Sequence, residues 1–222
     1  MFQSQITPGS IIWAVREISE PVDDLLRLLQ KKELYLPCLS QITSESRKKE
    51  WLTVRVLLKE MLGEEKEILY TSTGKPYLSD NSYQISISHT KGFVAIALHP
   101  EMGIGIDIEH ISPRIHKIRS RFMNEKEEAN LDEEHEEVHL LLHWSAKESL
   151  FKILDEQDVD FKTCLHINSF NPVLNSLSRF SAYETKTEKQ QEFSGYYLAN
   201  SLYVLTIVYK KILNDYAGSC FG

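Results

Sequence analysis

The sequence predicts an α+β protein built as two similar halves, residues 1–102 and 103–222. Three observations carry the prediction. Strand-like and helix-like stretches are mixed along the whole chain; a strand and helix followed by further strands occurs once before about residue 102 and again after it; and no low-complexity linker divides the chain. At 222 residues, 42% hydrophobic and 26% charged, the chain has length for one large core or two small ones.

In the first half, Ile11-Ile12-Trp13-Ala14-Val15 reads as a strand, and Glu20-Pro21-Val22-Asp23-Asp24 followed by Leu25, Leu26, Leu28 and Leu29 as a helix start. Ser44 to Leu62 is a stronger helix, with Leu52, Val56 and Met61 on an apolar face and Gly63 as its stop. Its first turns carry Arg47, Lys48 and Lys49, and Arg55 lies two turns beyond Arg47 on nearly the same face; taken alone, this is a solvated basic surface. Ile68-Leu69-Tyr70 leads into a turn-rich segment, Thr71 to Leu78, in which Lys75 sits between Gly74 and Pro76. Such a loop is either a plain turn or an anion contact made by Lys75 and backbone N–H groups. Tyr83, Ile85 and Ile87 alternate as a strand that ends in Ser88-His89-Thr90, with Phe93 to Leu98 as its hairpin return. A Ser-His pair at a strand end is commonly a satisfied turn, and no Gly-x-Ser-x-Gly surrounds Ser88, so it is not a hydrolase elbow.

The second half opens on Gly103-Ile104-Gly105-Ile106-Asp107-Ile108-Glu109. The alternating isoleucines predict a strand with one face in a core, which puts Asp107 and Glu109 together on the other face. Residues two apart on a strand have Cα atoms roughly 6.5 to 7 Å apart, so both carboxylates can converge on one hard divalent cation such as Mg²⁺. The plain alternative is an acidic strand edge facing solvent. A basic stretch follows, Pro113 to Phe122, in which Arg114, Lys117, Arg119 and Arg121 are interleaved with Ile115, Ile118 and Phe122. Glu125 to Glu137 is acid-rich and reads as a solvated helical segment. It ends in a formal H-E-x-x-H match, His135 to His139, with His143 a turn further on; the charged flanks and missing third ligand argue against zinc. Leu140-Leu141-Leu142 then carries the helix to Trp144-Ser145-Ala146-Lys147-Glu148-Ser149-Leu150-Phe151-Lys152, where Trp144, Glu148 and Lys152 share a face. Strands are predicted within residues 161–168, 176–185, 195–198 and 202–209.

Composition narrows the function classes. A net charge of −7 argues against a general nucleic-acid binder, and no apolar run approaches the roughly eighteen residues of a membrane span. The first ten residues lack the basic and apolar regions of a secretory leader, so the cytoplasm is the expected compartment. Cys38, Cys164 and Cys220 are far apart and in no Cys-x-x-Cys pair, and are expected as buried thiols.

Gly105 to Glu109 and Trp144 to Lys152, in that order and some forty residues apart, closely resemble the 4′-phosphopantetheinyl transferases of the surfactin-synthetase-activating type. Gly74-Lys75-Pro76 and Ile87-Ser88-His89 match two further family segments, so the resemblance covers residues 44–152, while the C-terminal strands match only in character. Thr90-Lys91-Gly92 departs from the Ser-Gly that more commonly follows the Ser-His pair.

The resemblance implies two α/β-type halves in pseudo-twofold relation, a monomer imitating a dimer, with the active site and coenzyme A in the cleft between them. It implies Mg²⁺ on Asp107, Glu109 and Glu148. Coenzyme A is then met by Arg47 and Arg55 at its 3′-phosphate and by Lys75, Pro76, Ser88, His89, Lys147 and Lys152 elsewhere. The implied reaction transfers 4′-phosphopantetheine to a serine of an apo acyl or peptidyl carrier protein, leaving 3′,5′-ADP. Such phosphoryl transfer requires positioning and charge neutralisation. Glu148, or its rival Glu109, is the expected general base, and Lys152 or Lys147 the group that stabilises the departing nucleotide. The basic stretch around Arg119 and Arg121 is the expected dock for an acidic carrier. The rival readings are a non-catalytic carrier-protein or nucleotide-binding module of the same fold, and an unrelated Mg²⁺ nucleotide hydrolase.

Overall fold

The computed structural model describes residues 2–7, 10–154 and 156–210. The chain divides into two compact units between His110 and Ile111, whereas the halves drawn from the sequence divide at 102.

In the first unit, strands β1 (Phe2–Thr7) and β2 (Ile11–Glu17) are followed by helices α1 (Val22–Arg27), α2 (Lys32–Gln41) and α3 (Glu45–Leu62). Five strands complete it: β3 (Ile68–Tyr70), β4 (Pro76–Leu78), β5 (Gln84–Thr90), β6 (Phe93–His99) and β7 (Ile104–His110). An antiparallel sheet runs β1-β2-β6-β5, and β3 and β4 form a separate ribbon. Sequence reasoning found neither β1 nor α2, a helix that holds Pro37 in its interior.

α3 forms where its ends are chemically marked. The Ser44 side chain caps the N-terminus by accepting from the Arg47 backbone N–H, and Gly63 closes the C-terminus at φ 75°, a left-handed conformation that glycine adopts without a Cβ clash. Residues 52–58 are buried without a break because the helix is covered on two sides. Val54, Leu57 and Leu58 join Ala14, Ile85 and Ile96 of the sheet, while Leu52 and Val56 join Leu25, Leu29, Tyr35 and Leu39 from the α1 and α2 region.

β7 is held against β5 by side chains. The backbone N–H groups of Ile106, Ile108 and His110 donate to the hydroxyls of Ser86 (3.0 Å), Ser88 (3.4 Å) and Thr90 (3.0 Å), each pair advancing by two residues. The polar alternation along β5 thus serves its neighbour.

The second unit contains α4 (Ile115–Phe122), α5 (Glu125–Glu128), α6 (Glu136–Leu154) and strands β8 (Leu165–Ile167), β9 (Ser178–Glu184), β10 (Glu192–Ala199) and β11 (Tyr203–Lys210). β8, β9, β10 and β11 pair antiparallel in that order. The register sets Gly195 opposite Phe180, whose ring covers the glycine so closely that a Cβ there would lie 2.3 Å from Cε1. α6 is pinned to β11 through Thr206, whose hydroxyl bonds those of Ser145 (2.9 Å) and Ser149 (2.8 Å) one helical turn apart.

Two expectations are corrected. The acid-rich run is not uniformly solvated, because Glu127 is buried and completes a capping box with Asn124, and α6, half-buried over residues 136–138, is buried from His139 to His143. Cys38 is exposed and Cys164 half-buried; Cys220 lies outside the described residues.

Candidate active site

The basic face of α3 opens onto a cavity of about 670 Å³ in the first unit. Arg47, Arg55 and His89, expected from the sequence as coenzyme A contacts, all line it, together with Cys38, Glu50, Trp51 and Tyr70, which were not foreseen. The signal for two of these lay in helical spacing: Glu50 is three residues from Arg47, and Trp51 four from Arg55.

Arg55 is buried, with its guanidinium 3.2 Å from the centre of the Trp51 ring and one N–H on the Trp51 carbonyl at 2.8 Å. Burial lowers its pKa from the ordinary arginine value, and the hydroxyl of Tyr70 opposes that shift. This is a cation–π arrangement with the cation turned into a cavity. Arg47 lies at the helix entrance, donating to Glu50 Oε2 (3.1 Å) and lying 2.9 Å from His89 Nε2. The same His89 Nε2 lies 3.5 Å from Glu50 Oε2, so the ring nitrogen stands between a guanidinium and a carboxylate.

Lys75 sits in the β3–β4 turn that Gly74 enables at φ 84°, its backbone N–H on the Thr71 hydroxyl. Pro76 opens β4 opposite Tyr70. Neither is among the residues lining the cavity.

Asp107 and Glu109 project from β7 two residues apart. Asp107 is only 5% exposed, so that face of the strand is interior and not a solvated edge, while Glu109 is half-buried. The Ser88 hydroxyl donates to Asp107 Oδ1 at 2.8 Å and accepts from the Ile108 N–H. The Ser88 proton thus orients the acid, a partner that the sequence did not predict.

In the second unit Trp144, Glu148 and Lys152 are all half-buried, as expected of one helical face. Lys147 departs from expectation. It is fully buried, and its ammonium donates to Glu127 Oε2 (2.7 Å), the Phe122 carbonyl (2.6 Å) and the Phe161 carbonyl (3.0 Å). All three of its protons are thereby used, leaving none for a phosphate. Burial lowers its pKa, and the Glu127 carboxylate opposes that shift. Arg119 pairs with Glu128 and, at 2.6 Å, with Glu136, with its side chain still 32% exposed.

The H-E-x-x-H residues are occupied with one another's loop. His139 Nδ1 accepts from the Asp132 N–H at 3.0 Å, and His135 Nδ1 lies 3.2 Å from Asp132 Oδ1. Among the described residues of either unit taken by itself, no three His, Cys, Asp or Glu side chains gather as metal ligands. The donor set of β7 nonetheless suits a hard cation: two carboxylates on one side of a strand, one of them buried and oriented by a hydroxyl.

Residues 103–208 match the sequence model of the 4′-phosphopantetheinyl transferase superfamily. Among curated proteins the chain is similar to the 4′-phosphopantetheinyl transferase AcpT of Escherichia coli O157:H7, at 30% identity over 112 residues, 48% of this chain and 57% of that protein. AcpT of Salmonella typhimurium is 30% identical over 120 residues, 51% of this chain and 62% of the relative. The matches thus span less than two thirds of these relatives. The matched region runs from the acid-bearing strand through the Trp144–Lys152 helix to β11, and there the chain's likeness to the 4′-phosphopantetheinyl transferase superfamily resides.

Proposed function

We propose that the protein is a 4′-phosphopantetheinyl transferase that moves the phosphopantetheine arm of coenzyme A to a serine of an apo acyl or peptidyl carrier protein, releasing 3′,5′-ADP. The observation that carries this reading is the superfamily match over residues 103–208, which contains Asp107, Glu109, Glu148 and Lys152. The relatives named AcpT support the transferase class; the surfactin-synthetase-activating type rests on the two motifs alone.

Asp107, Glu109 and Glu148 would hold Mg²⁺, which when bound neutralises charge on the diphosphate. Ser88 orients Asp107 for that task. Arg47, Arg55 and His89 receive a phosphate of coenzyme A in their cavity, with Lys75 and Pro76 on the neighbouring turn. Glu148 takes the proton of the acceptor serine, and Lys152 donates to the departing nucleotide. Lys147 acts through the fold, by fixing α6. The reading carries with it a pseudo-twofold pair of halves enclosing the substrate, a monomeric cytoplasmic enzyme, and an acidic carrier docked through exposed Arg114, Lys117 and Arg121.

The test is incubation with coenzyme A and Mg²⁺, with and without apo-carrier, read by mass spectrometry. A transferase adds phosphopantetheine to the carrier and releases 3′,5′-ADP only when the acceptor is present. A hydrolase needs no acceptor, and a non-catalytic module does neither. Glu148→Gln is expected to lower turnover by about a hundredfold to ten-thousandfold. A panel of fatty-acid, polyketide and peptide carriers separates the surfactin-activating type from a narrower one.

A further inference from the structure

The cavity on α3 already holds an anion of the protein's own. Glu50 Oε2 accepts from Arg47 at 3.1 Å and lies 3.5 Å from His89 Nε2, while Glu50 Oε1 is bonded by the Ser46 hydroxyl at 3.4 Å. The Glu50 side chain is 21% exposed and lines the cavity beside Arg55. Arg47, 63% exposed, is turned onto this carboxylate and onto His89 Nε2 at 2.9 Å.

A phosphate monoester entering the cavity would carry up to two negative charges into the place where Glu50 already supplies one. It would compete with Glu50 for the Arg47 donors and for the His89 ring nitrogen that Glu50 already faces. We propose that Glu50 is a specificity-tuning positioning residue: a resident carboxylate that occupies the phosphate position, presets Arg47, and is displaced when the 3′-phosphate of coenzyme A binds. The proposal rests on the transferase reading for the identity of the ligand. Its consequence is that Glu50 weakens nucleotide binding and quickens release of 3′,5′-ADP, which carries the same 3′-phosphate.

The experiment is calorimetric titration of the full chain and its Glu50→Gln, Glu50→Asp, Arg47→Ala and Arg47→Ala/Glu50→Gln variants with coenzyme A and with 3′-dephospho-coenzyme A. Loss of one partly screened carboxylate should tighten coenzyme A by about fivefold. Dephospho-coenzyme A should be unchanged, and Glu50→Asp, which keeps the charge, should remain near wild type. Arg47→Ala should cost more affinity in the Glu50→Gln background than in the wild type, because the arginine is no longer shared. A Glu50→Gln protein of unchanged melting temperature that binds coenzyme A equally or more weakly overturns the proposal, as does equal tightening of both ligands. If the wild type does not bind coenzyme A at all, it is the transferase reading that fails. Inorganic phosphate then decides for Glu50: tighter binding by Glu50→Gln upholds it, and unchanged binding overturns it.

Discussion

Lys147 and Glu127 form a 2.7 Å ion pair in the interior of the second unit, and each is also bound by backbone on its remaining side. The lysine holds two carbonyls, and the carboxylate accepts the N–H groups of Asn124 and Ile167, both at 3.0 Å. The pair therefore fastens α6 to α5 and β8. Removing one member strands the other's charge, at a cost of about 3 to 5 kcal/mol.

Lys147→Ala should accordingly lower the denaturation midpoint steeply. Any active fraction should keep its coenzyme A KM, because the three donors of the ammonium are engaged within the fold. Melting curves and KM measured on the same preparation check this. A Lys147→Ala protein of normal stability with a raised KM would return the lysine to the phosphate site.

The second prediction concerns acid. His143 is buried, with Nδ1 4.0 Å from Glu127 Oε1, His139 at 4.9 Å between ring centroids, Lys147 on the same helix and Phe170 stacked against it. Burial pushes both histidines below their ordinary value of 6.5, His143 well below. The folded state then rejects protons that the unfolded chain takes up, so the stabilising contribution is present above about pH 6.5 and is lost as pH falls below it. Each histidine adds a slope of up to about 1.4 kcal/mol per pH unit in that window. Urea midpoints at pH 7.5 and 5.5 should differ, and His143→Phe should reduce the difference. A midpoint flat across this range would show that neither histidine is held neutral.

Asp107 and Ser88 give the third. Ser88→Ala removes the hydroxyl that orients the acid, and outer partners of metal ligands typically contribute about 10- to 100-fold in metal affinity. The Mg²⁺ needed for half-maximal activity should rise by that order while the KM for coenzyme A holds. Asp107→Asn should leave the melting temperature near wild type and abolish transfer. The opposite pattern for Ser88→Ala, with KM raised and Mg²⁺ dependence unchanged, would make the serine a substrate contact after all.

Gly195 gives the fourth. With the Phe180 ring where a Cβ would go, Gly195→Ala must displace the ring or the strand, at about 1 to 3 kcal/mol. Equilibrium unfolding measures it. The double variant Gly195→Ala/Phe180→Leu should recover part of the loss; no recovery would place the cost elsewhere.

What the sequence disclosed was whatever is encoded locally. The ends of α3 were readable because a capping serine and a left-handed glycine are chemical punctuation, and β7 because its isoleucines alternate. What surrounds Asp107 was not readable, since its burial comes from β5, some twenty residues away in sequence. The interior position of Lys147 could not be read from the motif, although the face shared by Trp144, Glu148 and Lys152 already left it out. The pairing of Arg119 was not readable either, because it needs the chain to fold Glu128 and Glu136 back onto it. Glu50 was passed over because a carboxylate near a supposed phosphate site looks out of place until its distance to Arg47 is known.

The hydroxyls of Ser86, Ser88 and Thr90 have one more consequence. Spaced at every second residue, they meet only every second amide of β7, and they do so at Ile106, Ile108 and His110. A slip of β7 by one residue would bring the amides of Asp107 and Glu109 to these rungs and turn both acids to the opposite face. The three hydroxyls are thus the graduations of a ruler, and what they measure out is the address of Asp107.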